Sequence, residues 1–201
     1  MRLFVALELS TEDRHRLRPL IESACAAYPG GRIVPFGNLH ITLHFVGECG
    51  PDKAEQLRRA LWQAYRADAD RENRLFPMRL QASGSGLFRS GREAVLWLRV
   101  EPSAGIRRFR TMLFDALERM GWPTETRHEL IPHITIARCV PVGSGNGRDP
   151  GSPSPAAHPA VCPLTAAGPS LMESVRQDGR LSYIARCRPA VGPEWIPGNG
   201  T

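Results

Sequence analysis

Lysine is nearly missing from this chain: Lys53 stands alone among 26 basic residues, and the other 25 are arginines. Arginine forks suit phosphate geometry, but abundant Ala, Gly and Pro make biased codon usage the better account of the excess itself. The net charge of +6 and the sequence pI near 9.5 are a separate matter. They favour anionic partners, RNA among them. No apolar run approaches the roughly 20 residues that span a bilayer, and the opening Met1–Glu8 has no signal-peptide layout. The expectation is a cytoplasmic monomer with no membrane partner. Paired cysteines are missing too. Cys25, Cys49, Cys139, Cys162 and Cys187 are scattered, odd in number and without a C-x-x-C spacing. That excludes a disulfide framework and a zinc ribbon, and leaves reduced, mostly buried thiols.

Against these absences, one tetrapeptide is present twice. His40-Ile41-Thr42-Leu43 returns 93 positions later as His133-Ile134-Thr135-Ile136. On a strand, alternate side chains share a face, so each copy offers an imidazole and a hydroxyl on one side and two aliphatic residues on the other. Histidine has the unperturbed pKa nearest neutrality, so a facing pair can supply one base and one acid without a metal. The threonine hydroxyls would hold charge developing on non-bridging phosphate oxygens.

The surroundings repeat as well. Residues 2–8 read as a buried strand, and Ser10-Thr11-Glu12-Asp13 as a capping box opening a helix that Pro19 should kink or shorten. The first motif strand follows, from about His40 to Val46. A helix opened by Pro51-Asp52 comes next, then a strand at 76–81, a turn at Ser83-Gly84-Ser85-Gly86 and an apolar strand at 94–100. A third helix, carrying Ile106, Phe109, Leu113, Leu117 and Met120, ends at Gly121 and Pro123. The second motif strand runs over 133–139. Strand, helix and motif strand thus occur over 2–46 and again over 94–139, which reads as an internal duplication with one cleft between two lobes. The expected fold is α+β: a two-lobed, pseudo-symmetric duplication, antiparallel sheets flanking a central cleft, helices outside. Residues 1–188 are taken as one two-lobed domain, with a flexible Gly/Pro/Ser-rich insertion at about 141–160 and a tail over 189–201. Leu171–Arg176 and Leu181–Cys187 form a hairpin across Asp178-Gly179.

These residues resemble the 2H phosphoesterase superfamily, and within it the RNA 2′,3′-cyclic phosphodiesterase family, also called 2′-5′ RNA ligase-like. The resemblance spans about residues 1–187. It rests on Arg2–Leu7, Asn38–Glu48, Ala94–Leu98, Pro132–Arg138 and Leu171–Ser174. It implies metal-independent hydrolysis of RNA 2′,3′-cyclic phosphate ends, or of cyclic nucleotides, to 2′-phosphates, with no cofactor. By the same resemblance His40 matches the proton donor to the 3′ oxygen and His133 the acceptor that activates water. Thr42 and Thr135 match the phosphate-binding pair. The spacing alone does not tell acid from base. Two other readings stand beside it: 2′-5′ RNA joining of tRNA halves, and a catalytically idle RNA-binding module.

Three neighbours are weighed by parity. His44 shares the face of His40 and Thr42, so it is a candidate substrate-binding residue. A zinc pair with His40 would need a helix and an acid where Ile41 stands. Arg138 falls opposite His133 and Thr135 unless a bulge turns it inward, and is a candidate phosphate ligand on that condition. Phe45, its counterpart, is assigned to the core. Phe88, Arg89 and Arg92 are read as a solvated, glycine-bracketed loop in preference to an RNA clamp. His15, His128 and His158 receive no role.

Overall fold

The computed structural model describes residues 1–101, 104–123, 130–142, 161–177, 179–192 and 194. Its strands are β1 (Arg2–Glu8), β2 (Arg32–Ile33), β3 (His40–Glu48), β4 (Met78–Ser90), β5 (Glu93–Glu101), β6 (His133–Pro141), β7 (Val161–Ala166), β8 (Pro169–Gln177) and β9 (Arg180–Cys187). The helices are α1 (Thr11–Ala27), α2 (Pro51–Ala69) and α3 (Ala104–Glu118). The strands are antiparallel in the order β7-β4-β5-β6-β3-β1-β8-β9, with β2 added beside β6. Four strands lie on either side of the β6–β3 junction, so the fold is the α+β, two-lobed duplication that the sequence pattern implies.

Aliphatic positions decide which face closes. Leu3, Val5 and Leu7 of β1, Ile41 of β3, Leu96 and Leu98 of β5 and Ile134 of β6 are at most 1% exposed. They join the helix residues Leu17, Leu57, Leu61, Phe109 and Leu113 in one core. Burying each such side chain fully contributes roughly 1.5–3 kcal/mol. Helix α1 lies against β4, β5 and β7, while α3 packs on β3, α2 on β8 and the two on each other. All three helices thus cover the aliphatic face. The opposite face carries a small cluster, Phe4, Ala6, Met172 and Ala185 with Tyr183 beside it.

The cap of α1 matches the sequence reading, and several other elements differ from it. Ser10 caps α1, its hydroxyl accepting from the Asp13 amide at 3.0 Å. Pro19 does not end the helix, which runs on to Ala27. Ser83–Gly86 is no turn. Strand β4 passes through it and pairs with β5 as far as Ser90 opposite Glu93, with Gly84 as an extra residue between Ser83 and Ser85 at φ +57°. Gly-Ser composition serves a glycine bulge as well as a turn. Phe88 and Arg89 therefore belong to a strand and not to a solvated loop. β7 is not legible in the sequence because Pro163 interrupts its pattern, but β7 is an edge strand, where proline is tolerated. Of the insertion placed at 141–160, Pro141 ends β6 and Val142 follows it; 143–160 lie outside the described residues, as do His128, His158, Asp178 and 195–201 of the tail.

Candidate active site

The two motifs meet at the centre of the sheet. Strands β3 and β6 pair antiparallel through Ile41 opposite Ile134, the same position of each copy. An axis relating the two halves passes between these isoleucines. With both pointing into the core, His40, Thr42, His133 and Thr135 are left together on the open face. All four are half-buried.

Both rings are fixed in the same way. His40 Nδ1 lies 2.7 Å from the Asn38 carbonyl oxygen, and His133 Nδ1 lies 2.8 Å from that of Ile131. A carbonyl only accepts, so each Nδ1 carries the hydrogen and each Nε2 is the nitrogen left to exchange a proton. His40 Nε2 stands 3.1 Å from Thr42 Oγ1, whose hydroxyl donates to it when the ring is neutral. Asn38 is itself held across the molecule. Its side-chain amide donates to the Leu181 carbonyl at 2.7 Å, and its Oδ1 accepts from the Tyr183 amide at 3.3 Å. It escaped the sequence reading as a positioning residue because its partners are 143 and 145 positions away.

Aromatic walls enclose both imidazoles. Phe4 and Tyr183 each approach the His40 ring to 5.0 Å between centroids, Tyr183 edge-on. Phe88 meets His133 edge-on at 4.9 Å and stacks on Trp97, also at 4.9 Å. Trp97 can lie there because the facing residue in β4 is Gly86, where a Cβ would stand 2.3 Å from the indole. Burial depresses both basicities. His40 is lowered to about 4 by loss of water, and further by the charges of Arg138, His133 and Arg14, against the opposing hydrogen bond to Asn38. His133 is lowered by burial first and by Arg138, against its bond to Ile131.

The strand register settles the neighbours that parity alone misplaced. Glu8 faces His40, Ala6 faces Thr42, yet Val5 faces His44 and Phe4 faces Phe45. One extra residue, Leu43, thus sits in β3 between Thr42 and His44. This bulge reverses the alternation. His44 turns to the helix side, 7% exposed, edge-on to Phe114 of α3 at 5.0 Å, and burial with the charge of Arg110 lowers it to about 4. It is not on the face of His40, which corrects its placement as a substrate-binding candidate. Phe45 turns to the open face instead, 55% exposed under the guanidinium of Arg2.

Strand β6 repeats the device 93 residues on. Trp97 faces Thr135, but Leu96 faces Ala137, leaving Ile136 as the extra residue. Arg138 is thereby carried to the face of His133 and Thr135. Its charge acts on both histidines. Among the described residues no group of three or more His, Cys, Asp or Glu side chains could hold a metal ion. The five cysteines are free thiols, Cys162 and Cys187 buried and the rest half-buried. No described helix is long and apolar enough to cross a membrane.

Comparison with known proteins gives this geometry a context. A family model described as the 2′-5′ RNA ligase superfamily matches residues 10–143. The chain is 27% identical over 139 residues to an RNA 2′,3′-cyclic phosphodiesterase of Archaeoglobus fulgidus, covering 69% of this chain and 72% of that one. A Thermotoga maritima protein of the same name is 29% identical over 140 residues, covering 69% and 70%. The crystal structure of Escherichia coli LigT complexed with 3′-AMP superposes with a TM-score of 0.65 at 26% identity, over 93% of this chain and 95% of that chain.

Proposed function

The chain belongs to the 2′-5′ RNA ligase superfamily, and on that footing we propose that it is an RNA 2′,3′-cyclic phosphodiesterase whose two histidines form the acid-base pair. The observation that carries this reading is the open-face array. Two imidazoles with both Nδ1 atoms tied to backbone carbonyls present both Nε2 atoms, two threonines and Arg138 to one space. The relatives' names and the nucleotide in LigT support the substrate class. The domain that carries the activity is residues 1–188.

In the proposed reaction the cyclic phosphate lies across β3 and β6. Arg138 and the Thr42 and Thr135 hydroxyls hold its non-bridging oxygens. His133 Nε2 takes a proton from water as the water oxygen bonds to phosphorus. The bond from phosphorus to the 3′ oxygen breaks, and that oxygen takes the proton of His40 Nε2. The product is a 2′-phosphate with a free 3′-hydroxyl. Each proton transfer contributes roughly 10²–10⁴-fold. The assignment of His40 as donor follows the family pattern. The bound anion is what allows His40 to hold a proton despite its burial, since an opposite charge nearby favours the charged ring.

The test is incubation with 2′,3′-cyclic AMP in EDTA and identification of the product isomer. The expected product is 2′-AMP. Release of 3′-AMP would reverse the assigned leaving oxygen, and activity lost in EDTA but restored by a divalent metal would overturn the metal-free step.

A further inference from the structure

Two concavities of the molecule are built from equivalent positions of the two halves, and one of them reaches the array. One, of about 210 Å³, is lined by Glu8, Arg14, Asn38 and Leu39 beside His40. The other, of about 330 Å³, is lined by Glu101, Arg107, Ile131 and Pro132, the residues just ahead of His133 in the chain among them. Each of these pairs is separated by 93 positions, so the duplication reproduced the pockets along with the motifs. They have since diverged in charge and walls. Beside His40, strand β9 and its exit add Tyr183, Ala185 and Arg188.

The charges in this pocket do not cancel. Arg188 donates to both oxygens of Glu8, at 2.6 and 2.8 Å, and Ser170 donates to the same carboxylate. Burial raises the Glu8 pKa, but these bonds and the charges of Arg188 and Arg14 more than reverse that, so it stays ionised. Glu8 and Arg188 neutralise each other. Arg14, from the first turns of α1, is then the cation in excess, and its Nε is buried without a hydrogen-bond partner. Its side chain lines the pocket, where it can meet an anion. The guanidinium fork matches phosphate oxygens.

We propose that the concavity beside His40 is a second phosphate site, built on Arg14, that takes the phosphodiester joining the terminal nucleotide of an RNA to its neighbour. The proposal rests on the reading of His40 as donor to the 3′ oxygen. That reading places the terminal ribose at the His40 end of the array, so its 5′ linkage leaves toward this pocket. Arg14 is then a specificity residue that favours RNA ends over cyclic mononucleotides.

The experiment compares two dinucleotides ending in a 2′,3′-cyclic phosphate, one with a natural internal phosphodiester and one with a neutral methylphosphonate. The wild-type protein should favour the natural one by about tenfold or more in kcat/KM, as expected for charge-assisted hydrogen bonds. In Arg14→Gln the ratio should fall to about one, with Arg14→Lys in between. Any change in the shared chemistry, including the effect of Arg14 on His40, cancels in the ratio. An undiminished ratio in both variants, or a wild-type ratio near one, overturns the proposal. If the wild-type protein turns over neither dinucleotide, the assigned reaction fails. The pocket is then judged on dissociation constants for the same pair bearing 2′-phosphates. There the same tenfold preference, lost in Arg14→Gln, supports it, and equal constants overturn it.

Discussion

Two imidazoles that must differ by one proton sit in surroundings that disfavour a proton on either. His40 is pushed down to about 4 and His133 is pushed down as well, both mainly by burial and both by Arg138. The active form of the free protein, with His40 protonated and His133 neutral, is therefore populated on the acid side of 6.5. The profile of kcat/KM, which reports the free protein, should be a bell with its maximum below pH 6.5. Its two limbs belong to the coupled pair and not to single residues. A bound phosphodiester adds negative charge and raises both basicities, so the kcat profile should lie at higher pH. Arg138→Gln removes a positive charge from both rings, which should move the kcat/KM bell upward while lowering its height roughly a hundredfold, as for other lost donors to a reacting oxygen. A bell that stays in place in this variant would show that Arg138 does not act on the pair.

Strands supply the geometry, and their bulges decide which side chains take part. The histidine and threonine of each motif were legible in the sequence because alternation holds over the first three residues. Beyond them it fails, since the extra residues Leu43 and Ile136 are ordinary aliphatics with no local mark of a bulge. Only pairing with β1 and β5 reveals them. This is why His44 read as a cleft residue and Arg138 as an outward one. His44→Phe should accordingly keep turnover within about twofold. It should also alter acid stability in a defined direction. The buried His44 has a folded pKa near 4 against about 6.5 unfolded, so its contribution is whole above pH 6.5 and is lost as pH falls toward 4. The loss reaches about 3 kcal/mol. Denaturation of the two proteins at pH 7 and pH 4.5 should show a smaller acid penalty in His44→Phe, and equal penalties would place His44 in water. Gly86 gives a second test at this scale. Gly86→Ala drives a methyl into the fully buried Trp97. It should cost about 1–3 kcal/mol in denaturation and lower turnover, because Trp97 supports Phe88 and His133. Wild-type activity would remove this wall from the site.

For the whole molecule, the duplication was readable from element order, and its consequence is a pseudo-twofold site. Ile41 opposite Ile134 joins the two motif strands, β2 adds its pairing to β6, and each half brings one ring and one hydroxyl to the junction. The long-range ties that hold this arrangement were not readable. Glu8 meets Arg188 across 180 positions, and Asn38 meets β9 across more than 140. Such contacts depend on the assembled sheet and leave no periodicity in the sequence. The account's central claim is that the two halves act as one acid-base unit. It is tested most directly by single-turnover hydrolysis of 2′,3′-cyclic AMP by the wild-type protein, His40→Ala, His133→Ala and the double variant, each with its fold verified by circular dichroism. The account predicts that each single variant loses about 10²–10⁴ in rate and that the double variant loses little more than either. A wild-type rate in either single variant would contradict it.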